Sequence, residues 1–408
     1  MGSLWHGFAD MGAVERDGAF VVARGAGAYI WDEGGTQYLD ATGGLWFANV
    51  GHGRREIADA VAAQLTDIAH YSNFGDLASP VTRELAERLS GIAPVPGSKI
   101  FFTSGGSDGI DTAAKLARRY WHELGRPDKT IMVGRQRAYH GMHVGGTALA
   151  GLPPNREGYG EFMPDVRTIE WDRAEALTAL IEEVGADRIA AFFAEPIIGA
   201  GGVYLPPRDY LTEVRRICRE NDILFVADEV VTGFGRIGGS WFASSRFDLQ
   251  PDLMTTAKGL TSGYIPMGAV FIAPHIAEPF FAGGVWWRHG YTYGGHAAAA
   301  AAAMANLDII EREHLLDASK NLESLLHEHF SPLAEHDRVS EVRSGLGAVA
   351  AVQLADPAEA LGMVKTLRAH GVSTRAAGQG ALQISPSFVI TEEQVAELAA
   401  RFARALDA

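Results

Sequence analysis

The sequence predicts an α/β protein: a mostly parallel sheet covered on both faces by helices, with a smaller α+β unit built from the two ends of the chain. Three observations lead there. Strand-like and helix-like segments alternate through the middle of the chain, as they do when crossover helices join parallel strands. The segment "ILFVA" at 223–227 is apolar at every position, as a strand buried on both faces requires. The C-terminal third has a different texture, with charged helical patterns around a glycine-rich patch "RSGLGAVAAVQ". A length of 408 residues also favours more than one core.

Taken in order, residues 20–50 read as short strands broken by turns at Gly25, Gly27, Gly34 and Gly35. Ile57, Val61, Leu65 and Ile68 then recur at helical spacing. A helix over 80–90 leads to strand "SKIFFT", one over 110–124 to "KTIMVG", and one over 173–184 to "RIAAFFAEP". A helix over 208–221 precedes strands "DILFVADEV" and "DLMTTAK". The alanine-rich helix "AAAAAAAMANLDIIERE" closes this unit, and helices are expected near 313–330, 356–370 and 391–406. The boundaries that follow are an N-terminal segment of the small domain (1–50), a large domain (51–305) and the C-terminal small domain (306–408).

Composition excludes several functions. With 47% hydrophobic and 21% charged residues, the chain has material for a large core and is not a disordered segment. A net charge of −15 argues against a nucleic-acid partner. No apolar run reaches membrane-spanning length, and the N-terminus lacks the basic and apolar regions of an export signal. Cys218 stands alone beside helix-spaced Leu211, Val214 and Ile217, so it reads as a buried thiol. The expectation is a soluble cytoplasmic protein.

Two ionisable residues stand at strand ends. Asp228 closes "ILFVAD", and Lys258 follows "DLMTTA" among small residues in "TTAKGLTSGYIPMGAV". Ligands of open α/β sheets lie at the carboxyl ends of strands, so both residues can reach one site. The plain alternative is a structural ion pair. A lysine with space round its tip suits a Schiff base with pyridoxal phosphate, whose ring nitrogen Asp228 would keep protonated. The phosphate would rest on Gly106 and Ser107 in "FFTSGGSDGIDTAAKLARRYW", at a helix N-terminus. The acidic Asp108 and Asp111 nearby must then point away from the anion or cap the helix.

The same residues, Gly105 to Gly109, also fit the G-x-S-x-G elbow that presents a nucleophilic serine. That hydrolase reading leaves Asp228, Lys258 and "AKGLTSGY" without a purpose, so Ser107 is expected to hold phosphate. A non-catalytic binding protein on the same fold would have no need of this lysine and aspartate. His327, His329 and His336 in "LLHEHFSPLAEHDR" lie in a charged helical setting that suits a solvated face better than a metal site. His140 and His143 have no evident third ligand, and no metal is expected.

The chain resembles the class III pyridoxal-phosphate aminotransferases, in their ω-aminotransferase branch, from about residue 20 to 405. The resemblance rests on "DATGGLWFANVGHG", "FFTSGGSDGIDTAAKLARRYW", "AYHGMH", "AEPIIGAGG", "VADEVVTGFGR", "TTAKGLTSGYIPMGAV", "YTYGGHAAA" and "RAAGQGALQISPSFVIT", in that order. It implies fold type I, with a seven-stranded-type sheet in the large domain. Lys258 is similar to the lysine that bonds the cofactor aldehyde, and Asp228 to the ring-nitrogen partner. Val230 and Tyr139 would take the two ring faces, and Gly106 and Ser107 the phosphate. Thr292 matches a residue that reaches the phosphate from the neighbouring subunit, which implies a homodimer with shared active sites. Trp46 resembles a pocket wall, Phe74 and Tyr291 interface aromatics, and Arg375 a mobile arginine that pairs with a carboxylate.

Departures from the pattern bear on substrate. Gly105 replaces a common serine, which removes one hydroxyl from the phosphate site. Gly294 and Ala297 stand where serine and proline are frequent. Ala200 stands where relatives working on ornithine or γ-aminobutyrate with 2-oxoglutarate carry a glutamate that masks the arginine. The implied reaction is transfer from a primary amine or ω-amino acid to pyruvate, giving alanine and an aldehyde or ketone. A 2-oxoglutarate-linked aminotransferase and a same-fold aminomutase are the alternatives.

Overall fold

Three short strands open the chain in the computed structural model, which describes residues 3–408. β1 (Val22–Ala26), β2 (Tyr29–Asp32) and β3 (Gln37–Asp40) form an antiparallel ladder. The central sheet follows: β4 (Lys99–Thr103), β5 (Ile131–Arg135), β6 (Val166–Ile169), β7 (Ile189–Ala194), β8 (Leu224–Asp228), β9 (Leu253–Thr256) and β10 (Gly268–Ile272). Its strand order is β4-β10-β9-β8-β7-β5-β6. The ladders from β9 through β8, β7 and β5 to β6 are parallel. β10 runs antiparallel to both β4 and β9. Every residue of β5, β7, β8 and β9 is buried, which explains their apolar spelling up to the polar residues at the carboxyl ends of β5, β8 and β9.

The connecting helices are Pro80–Ile92, Gly106–Glu123, Glu175–Val184 and Tyr210–Glu220. The second begins four residues before the expected 110, because its glycines enter the helix. The helix Arg55–Asp67 buries only Ile57, while Leu65 is 50% and Ile68 40% exposed. Ile57 and Val61 pack on the core and the helix lies against Ala297–Arg312, so only the end of its apolar stripe, at Leu65 and Ile68, stays open. Cys218 is buried, as expected.

The end of the chain adds β11 (Val339–Arg343), β12 (Ala350–Leu354), β13 (Val372–Ser373), β14 (Ala376–Ala377) and β15 (Ala381–Ile384). Four of them form an antiparallel sheet in the order β11-β12-β15-β14. β13 instead pairs parallel with β3, so the two ends of the chain share one sheet. Helices Leu315–Phe330, Ala360–Ala369 and Glu392–Leu406 complete the unit, the last started by a Thr391/Gln394 capping box. Among the described residues no helix is long and apolar enough to cross a membrane.

Because β10 is antiparallel to its two neighbours, β4 runs in the same direction as β9 and the parallel block. The carboxyl ends of β4, β5, β7, β8 and β9 therefore all reach one edge of the sheet. That edge is where functional side chains are expected in this architecture.

Candidate active site

At that edge lies a cavity of about 1170 Å³. β9 delivers Lys258, β8 delivers Asp228 and Val230, and β7 delivers Glu195. β5 leads to Tyr139 and His140, while β4 runs into Gly105, Gly106 and Ser107. All of these residues line the cavity.

Lys258 opens a short turn, Lys258–Leu260, with its backbone at φ 42°. That left-handed geometry is uncommon for a residue with a side chain and is held only where surrounding structure fixes it. Burial is the main cause that brings its ammonium pKa down to about 8; Asp228 and Glu195 oppose the shift, and Arg375 adds to it. Asp228 is buried, and its Oδ2 meets His140 Nδ1 at 2.8 Å. Its Oδ1 accepts from the Val230 N–H at 3.1 Å and from the Thr255 hydroxyl at 3.4 Å. The carboxylate is thus gripped from three sides.

Helix Gly106–Glu123 starts without a side-chain cap. Its first N–H groups have no partner within the helix, and they lie beside the cavity. A Cβ on Gly106 would come 2.9 Å from Val230, so glycine lets that side chain approach. A Cβ on Gly141 would come 2.4 Å from Ser107 Oγ, which instead accepts the Met142 N–H at 3.1 Å. Asp108 turns away from the cup: Oδ2 accepts the Ser104 N–H and Oδ1 meets the His143 ring. Asp111 accepts the Gly146 N–H at 3.0 Å. Among the described residues no histidine bonds Ser107. His140 is held by Asp228 and His143 by Asp108, so the hydrolase elbow lacks its base.

The small unit supplies a second group. Trp46 is 2% exposed and lines the cavity. Lys258 Nζ lies 5.4 Å from its ring centroid, and the Arg375 guanidinium lies 5.0 Å from the same ring. Burial lowers the Arg375 pKa from its usual value. Ala200 lines the cavity too, and no carboxylate pairs with Arg375 among the described residues. Phe74, Tyr291 and Thr292 are not in this cavity. Thr292 is exposed, with its carbonyl 2.8 Å from the His70 ring, and the Tyr291 hydroxyl donates to the Asp108 carbonyl. Phe74, 51% exposed, packs beside Gly290.

Residues 11–406 match the family model described as aminotransferase class-III. The chain belongs to that family. It is a pyridoxal-phosphate-dependent aminotransferase. The putrescine–pyruvate aminotransferase of Pseudomonas aeruginosa is 39% identical to it, across 98% of this chain and 93% of that one. The β-alanine–pyruvate aminotransferase of the same organism is 35% identical, across 97% and 93%. An amine transaminase from an uncultivated Pseudomonas species, solved in its PLP-bound form, superposes with a TM-score of 0.94. It is 35% identical, across 100% of this chain and 99% of that one.

The aminotransferase's cavity fits that cofactor on observations of its own. At Gly105 a Cβ would meet nothing within 4 Å, so open space lies against the uncapped helix start, as an anion there needs. A lysine amine with a lowered pKa and a gripped carboxylate share the same space. Two residues in the site were not singled out from sequence for this role. Glu195 is buried, accepting the Tyr139 N–H at 2.8 Å and the Gly199 N–H at 2.9 Å. It ties the Tyr139 segment to the Ala200 segment. From sequence His140 reads only as a candidate metal ligand or hydrolase base, not as a partner of Asp228. Their positions next to "Y" in "AYHG" and at the end of "AAFFAE" were the available signals.

Proposed function

We propose that this aminotransferase moves the amino group of a primary amine or ω-amino acid to pyruvate, in two half-reactions that share one site. The carrying observation is Lys258, its ammonium pKa brought down to about 8 by burial, in the same cavity as Asp228 and the open helix start at Gly106 and Ser107. The pyruvate assignment is supported by Ala200, which leaves Arg375 without a carboxylate to mask it. The pyruvate-linked names of the relatives point the same way.

When bound, the cofactor supplies an aldehyde that takes up the amino group and a ring that withdraws electrons from the carbon bearing it. Gly106 and Ser107 would hold its phosphate, and Tyr139 and Val230 would flank its ring. Asp228 would face the ring nitrogen, with His140, Val230 and Thr255 orienting its oxygens. Lys258 Nζ moves the proton. With a pKa of about 8, a useful fraction is free amine at neutral pH, able to take the donor-carbon proton and hand it on. Positioned proton transfer of this kind contributes ~10²–10⁴-fold. Arg375 pairs with the acceptor carboxylate and swings off Trp46 when an apolar amine enters.

Phe74, Tyr291 and Thr292 fall to the partner's site in a homodimer. His70 and Asn73 hydrogen-bond the backbone of the 292–295 loop, so residues 65–77 and 286–296 form one surface. Ile68, Tyr71, Phe74 and Tyr293 leave that surface apolar and exposed. The division at residues 50 and 305, and a cytoplasmic location, belong to the same reading.

Incubating the purified protein with an amine and pyruvate should yield alanine. Far slower turnover should follow when 2-oxoglutarate replaces pyruvate. Equal or faster turnover with 2-oxoglutarate would contradict the reading, and amino-group migration without any acceptor would point to the aminomutase.

A further inference from the structure

The cavity's charge is uneven, and this bears on the donor. Among the described residues, its only acidic lining residues are Glu195 and Asp228. Both are buried, at 3% and 4% exposure, with oxygens already occupied by backbone N–H groups or by His140. Besides Lys258, three arginines line the same space: Arg137, Arg368 and Arg375. No carboxylate pairs with any of the three among the described residues.

Arg137 differs from Arg375 in where it comes from and what holds it. It leaves the carboxyl end of β5, and its N–H bonds the Gly151 carbonyl at the start of a wall formed by 151–155. Its guanidinium lies 4.2 Å from the Tyr204 ring centroid and 5.6 Å from that of Trp171. Tyr204 is itself fixed by Arg343, 4.2 Å from the same centroid, and Arg343 spends its own donors on Gly202, Glu341 and Gln353. A guanidinium stacked on a pinned ring keeps its edge N–H groups free for a planar anion. Arg137 is also exposed to the cavity side, so this edge is reachable.

We infer that Arg137 is a second anion-recognising group of the cavity, and that the preferred donor carries an acidic group at the end remote from its amine. Arg375, sharing the Trp46 ring with Lys258, serves the carboxylate beside the reacting carbon; Arg137 serves the tail. A diamine's second ammonium would meet guanidinium groups and find no free carboxylate among this chain's described lining residues. This chain should therefore differ in donor from its putrescine-named relative. The inference rests on the aminotransferase reading.

The test uses the holoenzyme with pyruvate and three donors of equal length: 6-aminohexanoate, hexylamine and 1,6-diaminohexane, read by alanine formation. The expected order of kcat/KM is acid, then neutral amine, then diamine, with acid over diamine by about tenfold or more. In Arg137→Gln the ratio of acid to hexylamine should fall about tenfold, and Arg137→Lys should keep a larger part of it. A native preference for the diamine would overturn the inference. So would an Arg137→Gln loss equal for all three donors, which is what a purely structural role predicts. Alanine from none of the three would instead remove the aminotransferase reading beneath it.

Discussion

At the carboxyl edge of the central sheet, the carboxylates are fixed by their own chain. Asp228 is held by His140, Val230 and Thr255, Glu195 by two N–H groups, and Asp108 by Ser104 and His143. Across residues 65–77 and 286–296 the opposite holds: Tyr71, Phe74, Trp286 and Tyr293 are all more than half exposed. The first region is finished as one folded chain. The second presents apolar area of the kind that marks an interface. Under the proposed function, chemistry depends on the first region and completion of the pocket on the second, and the two should respond differently to substitution.

The largest effect belongs to the finished edge. Asp228→Asn should lower kcat on the order of 10²–10³-fold, the usual result of removing a fixed electrostatic group from a reaction centre. Near-native turnover in that variant would refute its role at the ring.

A middle-sized effect tests the open face. Lys258→Ala and Thr292→Asp proteins should each be inactive alone. Refolded together, they should recover about a quarter of native activity, the statistical share for randomly paired two-fold dimers with one intact site in each mixed pair. No recovery would mean that Thr292 serves its own chain's cavity and that the comparison between regions fails.

The smallest effect concerns pH. Lys258 ionises near 8 rather than at the usual lysine value, because burial disfavours its charged form. Only the neutral amine can bond an aldehyde. Reloading of the cofactor-stripped protein, followed by absorbance, should therefore speed up about tenfold per pH unit below about 8 and level off above it. A rate still rising steeply to pH 10 would place the amine in a solvated setting.

Much of the finished edge could be read from spelling alone. Lys258 and Asp228 sit at the ends of short apolar runs, and a strand end facing a ligand is a local property. Ser107 fits two motifs, and the unexplained Asp228 and Lys258 decide for phosphate from sequence; in the structure His140 and His143 are committed to Asp228 and Asp108. Glu195 and His140 gave weaker signals because their roles lie in contacts between distant segments. β10 and the strands from β11 to β15 were not anticipated. "AAVQL" carries two alanines, which have low strand preference, and "GAVFI" directly follows the turn-rich "TSGYIPM", so pairing supplies the order that their spelling leaves weak. The open face could be read only through resemblance, since Phe74 and Thr292 carry no mark that points to a second chain.

The central claim is that the Lys258 amine is the group that bonds the cofactor. Treating the loaded protein with borohydride and mapping the modified peptide by mass spectrometry tests it directly. The account predicts a pyridoxyl group on Lys258 in "TTAKGLTSGY" and none in the Lys258→Ala protein. The same label on Lys115, Lys129 or any other lysine, or an unlabelled chain after trapping, would contradict it.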